Sequence, residues 1–65
     1  MTEAEAIVKA IAYLNDVGVP IPMGEGLNAK RDWDGNMTVN FKGKNPEVDI
    51  MITSIIVTFP KATEK

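Results

Sequence analysis

Two stretches of this 65-residue chain carry residue types at spacings that chemistry could use. Asp32-x-Asp34-Gly35-Asn36 places oxygen ligands at alternate positions, as a calcium loop does. Such a loop also needs Gly at its sixth position and a bidentate acid at its twelfth. Counted from Asp32 these are Met37 and Gly43, so the pattern fails and the residues read as a hairpin turn. Gly24-x-Gly26, with Lys30 and Arg31 following, could cradle an anion on backbone N–H groups. It lacks the third Gly and the strand-to-helix setting of a dinucleotide fingerprint. Gly24, Gly26, Lys30 and Arg31 therefore define an alternative function, the binding of a small anionic ligand such as a nucleotide at 23–31 or at a subunit interface.

Other chemistry is limited by two absences. The chain has no His and no Cys. Without His there is no catalytic triad and no imidazole base. Without Cys there is no thiolate, disulfide or Cys-based zinc site. The single Ser, Ser54, sits in an apolar run. The expectation is a non-enzyme with no catalytic residues, metal or cofactor. Lys30, Arg31, Lys42 and Lys44 give the middle of the chain a basic bias, which raises nucleic-acid binding through a sheet face as a weaker alternative. Against it, the sequence pI is about 4.9 and the net charge is −2. No apolar stretch approaches the ~20 residues of a membrane span. The N-terminus is acidic, the wrong sign for a signal peptide. A cytoplasmic protein is the expectation.

These residues must be positioned by few elements. One domain is expected over 1–59, with a mobile polar tail over 60–65. Residues 3–17 read as an amphipathic helix. Thr2 and Glu5 form a capping-box pattern, and Glu3 and Glu5 favour the dipole of the first turn. Ala4, Ile7, Val8, Ile11 and Leu14 make the expected apolar stripe. Gly18 fits the position after the helix end, and Pro20 blocks continuation. Tyr13 lies off the stripe, as a partly exposed residue or a partner contact. Residues 18–26, with two Pro and three Gly, read as an extended connector whose Val19, Ile21 and Met23 turn to the core.

From residue 27 the period becomes two, giving strands over 27–33, 37–42 and 48–59. A two-residue Asp34-Gly35 turn would set the apolar faces of the first two strands on opposite sides. A three-residue loop over 34–36, pairing Trp33 with Met37, or a five-residue loop of the same parity, keeps them together. In this reading Trp33 lies on the buried face and Asn36 takes the left-handed position. A loop over 43–46 then pairs Phe41 with Val48 and Met37 with Ile52. In the third strand the apolar residues switch from even (Val48, Ile50, Ile52) to odd positions (Ile55, Val57, Phe59), which predicts a bulge at 53–54 or, as the alternative, an unbulged strand buried on both faces past residue 54. This register leaves residues 55–59 beyond the end of the second strand.

The expected fold class is α+β: an N-terminal helix on one face of a three-stranded antiparallel meander, completed by self-association. A chain of ~60 residues buries only about 60% of its unfolded surface, and without disulfides a second subunit is the available staple. In size, acidity and want of catalytic side chains the chain resembles small accessory and inhibitor proteins of phages and mobile elements. That resemblance implies action by association, with itself and with another protein. Tyr13, Ile55, Ile56, Val57 and Phe59 are the expected interface residues.

Overall fold

A computed structural model describes residues 1–45 and 48–61. The order is α1 (Glu3–Asp16), β1 (Met23–Arg31), β2 (Met37–Asn45) and β3 (Val48–Phe59). The strands form an antiparallel sheet in the order β1-β2-β3, with α1 packed on one face. The fold class is thus α+β.

Both ends of α1 follow from local sequence. The Thr2 hydroxyl accepts from the Glu5 N–H at 3.1 Å, and the Thr2 N–H donates to Glu5 Oε1 at 3.0 Å. This reciprocal pair satisfies two donors that a helix start leaves open. The bond from the Thr2 backbone, then that from its side chain, holds the Glu5 carboxyl below the usual carboxylate range. At the other end Gly18 turns left-handed at φ 76°, Val19 N–H donates to Leu14 O and Gly18 N–H donates to Asn15 O. These are the two bonds of a Schellman motif.

The face that α1 buries is rotated from the expected stripe. Ala6, Ala10 and Leu14 are buried, Ile7 and Ile11 are partly buried, and Val8 is 66% exposed. Small side chains explain the rotation. Along the Ala6–Ala10 line the helix can sit close to the sheet, and Ile7 and Ile11 pack at its flank. The other flank carries Tyr13. The rest of the core is Ala29, Met37, Val39 and Phe41.

The first hairpin keeps the expected parity with the longer loop. Arg31 pairs with Met37, Ala29 with Val39 and Leu27 with Phe41, so residues 32–36 form a five-residue loop. Asp32 Oδ1 accepts from the N–H groups of Asp34 and Asn36, both at 2.9 Å. Gly35, at φ 86°, takes the left-handed position expected of Asn36. Trp33 therefore leaves the strand for the loop tip and is fully exposed (103%), not buried on the sheet face. Arg31, on the apolar parity, donates to Gly35 O at 2.8 Å and Met1 O at 2.9 Å, tying the loop to the N-terminus. The connector expected over 18–26 ends early, because β1 starts at Met23. Val19 and Ile21 pack on the core and Pro22 is fully buried, whereas Met23 points outward.

The second pairing differs from the expected one by seven residues. Met37 faces Phe59 instead of Ile52, Val39 faces Val57 and Phe41 faces Ile55. The expected loop over 43–46 is absent in its first part, since β2 continues to Asn45. No bulge falls at 53–54. The irregularity lies between Lys44–Ile52 and Asn45–Val48, where residues 49–51 of β3 have no counterpart on β2. The cause is the strand-end segment itself. Sliding β3 pairs residues 52–59 with all of 37–44, and backbone that would otherwise lie outside the ladder gains its hydrogen bonds. The shift also moves Ile52 off the helix face, where it was expected beside Ile55, Val57 and Phe59. Ile55, Val57 and Phe59 turn toward α1, and Ile52 and Ile56 turn to the open face. Of the expected tail, Lys61 N–H donates to Asn36 Oδ1 at 2.8 Å, and residues 62–65 lie outside the described residues.

Candidate association site

The helix rests on β1 and β2 and scarcely reaches β3. Its off-centre seat leaves a groove of about 360 Å³ between the end of α1 and β3, lined by Tyr13, Leu14, Ile55, Ile56, Val57, Thr58 and Phe59. All five expected interface residues are in that lining. Tyr13 is 56% exposed on the rim, and Ile56 is 60% exposed on the far side of the strand. Ile55, Val57 and Phe59 are half-buried against the core cluster. The sequence reading found these residues through an overhang that does not exist. They instead pair with β2 on one side and stand at the sheet edge on the other.

That edge is bare. Residues 50–60 carry no charge. From Ile52 to Phe59 the strand runs without a bulge or Pro. Native sheet edges are usually blunted by charge, Pro, bulges or a covering element, because a free row of N–H and C=O groups templates pairing with another chain.

The residues of the expected anion site are not brought together. Gly24 and Gly26 line a second cleft, also about 360 Å³, with Ile11, Ile21, Pro22, Met23, Leu27 and Phe41. Its walls are apolar. Arg31 lies five residues beyond Gly26, about 16 Å along the strand, and bonds two backbone carbonyls. Lys30 pairs with Thr38 and so points to the opposite face from Arg31. The basic residues Lys30, Lys42 and Lys44 do share the open face, with Lys44 in β2 and not in a loop. Asn40 stands between Asn28 and Ile56 in this face, and its Oδ1 is shielded without a hydrogen-bond partner.

Trp33 escaped the sequence reading as an exposed aromatic. Strand parity continued through residue 33 hid it. The signal that could have found it is the Asp32-x-Asp34 pairing, an Asx turn that starts the loop at residue 32. Comparison with family models, curated proteins and solved structures finds no match for the chain. Among the described residues no helix is long and apolar enough to cross a membrane.

Proposed function

We propose that this chain is a non-enzymatic protein-association module, accessory or inhibitory in kind, that takes an extended segment of a partner as a fourth strand on β3. The observation that carries the reading is the uncharged Ile52–Phe59 edge, unpaired among the described residues, lying beside an open groove lined by Tyr13, Thr58 and the apolar side chains of β3. In strand addition the main-chain bonds supply affinity and adjacent pockets for alternate side chains supply specificity. The β3 edge offers the first and the α1–β3 groove the second. Tyr at such a rim buries apolar area while keeping a polar tip in contact with water. The size of the chain and its lack of His and Cys agree with action by contact.

The reading is tested with immobilised wild type, Ile56→Lys, Tyr13→Ala and, as a control on the outer helix face, Val8→Ser, each exposed to extract from the cells that make the protein. Wild type and the control should retain the same protein. The other two should lose most of it while keeping the helix signal in circular dichroism. Identical retention by all four baits would remove the reading.

A further inference from the structure

Resting on that association reading, we infer that the partner strand is β3 of a second copy, joined antiparallel about a two-fold axis near Ile55–Ile56. Two three-stranded sheets then become one of six strands, with both helices on the same face. The edge is self-complementary in the way a two-fold contact requires, since the same patch serves both copies. It has no charge between residues 50 and 60, so the copies meet without repulsion there and no ionic partner is called for.

Parity fixes the faces. When the facing residue numbers sum to an even number, Ile55, Val57 and Phe59 of one copy stand beside odd-numbered residues of the other. The two inner faces become continuous, and Ile52 and Ile56 line up on the open face. Each α1–β3 groove is lined by this same edge segment, so a second copy paired along it stands beside the groove and its Tyr13 rim. Only an even sum is open to a two-fold contact, because the same edge on both copies presents backbone groups of one parity and an axis normal to the sheet keeps both helices on one face.

The chain is also less compact than its mass requires. The chain exposes 4641 Å², whereas a compact monomer of 7.1 kDa exposes about 4,100 Å². Its radius of gyration is 12.2 Å, against about 10.7 Å for 65 residues.

The test is sedimentation equilibrium of the full chain up to about 100 μM, with single-cysteine variants in a sequence that has no Cys of its own. Wild type should be a dimer with a Kd of about 1 μM or tighter. Ile56→Lys and, independently, Ser54→Lys should weaken it at least tenfold (about 1.4 kcal/mol). Among Ser54→Cys, Ile55→Cys and Ile56→Cys, the residue at the axis should form an interchain disulfide on mild oxidation, and Lys42→Cys in β2 should not. A wild type that stays monomeric at about 100 μM overturns the second copy. So does a dimer that both lysine variants leave intact. If the monomeric wild type still captures a protein that Ile56→Lys loses, the association reading stands and only the second copy falls. Equal capture by both removes the two together.

Discussion

The outer edge of β1 carries Glu25, Lys30 and Arg31, follows Pro22, and is broken by an irregularity between Gly24 and Gly26. The outer edge of β3 is uncharged and backed by an uninterrupted ladder from Ile52 to Phe59, with Asp49 and the strand's own irregularity lying before that segment. The two strands belong to one sheet and flank the same β2, so general stability of the fold cannot account for the contrast. A strand that must remain a terminus is marked with charge and a kink. A strand left smooth is available for pairing. The helix repeats the asymmetry by seating itself over β1 and β2.

The largest expected effect falls on the guarded side. Gly43 faces Gly24, and a Cβ there would collide with the Met23 carbonyl. Gly43→Ala should destabilise the chain by about 2–3 kcal/mol in urea unfolding. Below the unfolding transition, β3-dependent association should survive, because residues 54–59 do not pair with the disturbed segment. Loss of association in folded Gly43→Ala would break the distinction between the edges.

Removing the guards sharpens it from the other side. Glu25→Thr with Lys30→Thr leaves Arg31, which is tied to the 32–36 loop, as the last charge of the β1 edge. Surface changes of this kind shift stability within about 0.5 kcal/mol, but two open edges allow heterologous growth. Light scattering should show species larger than wild type that grow with concentration. Unchanged scattering would mean that the Gly24–Gly26 irregularity, with Arg31, is enough to close β1.

The smallest effect is confined to the helix start. Thr2→Ala should cost about 1 kcal/mol and leave both edges as they are. Because the folded Glu5 carboxyl is held below its unfolded value, its contribution is present above the unfolded pKa. It is lost as pH falls through the folded one. Thermal unfolding of wild type should therefore lose stability across that acidic window, and Thr2→Ala should show a shallower loss.

How much of this was legible in the sequence depended on the range of the interaction. The Thr2–Glu5 box and the Gly18 stop are set within a few residues, and both ends of α1 follow from them. Hairpin parity was legible because one slip flips a whole face, although the choice between three and five loop residues was set by the Asp32 carboxylate. The β2–β3 register was not legible. Alternation specifies a face but not a distance, and the decisive gain, backbone pairing of 55–59, appears only when the whole strand slides. The buried line of α1 was misjudged because Ala6 and Ala10 matter for closeness of approach, which a hydrophobic stripe does not weigh. The five expected interface residues line one groove, but the geometry that brings them together was not legible. Tyr13 entered the same groove as Ile55–Phe59 because the helix is rotated, and no local pattern encodes that rotation.

Trp33 at the loop tip has a consequence for how this molecule can be observed. It is the only Trp and is fully solvated in the native state. Its indole emission should barely change on unfolding, and small quenchers should reach it before any denaturant is added. The same position makes it a built-in tumbling reporter. The loop is held by the Asp32, Arg31 and Asn36 hydrogen bonds, so the polarisation of its emission follows the rotation of the whole particle. A fluorophore blind to folding would in this way read assembly directly, without a label.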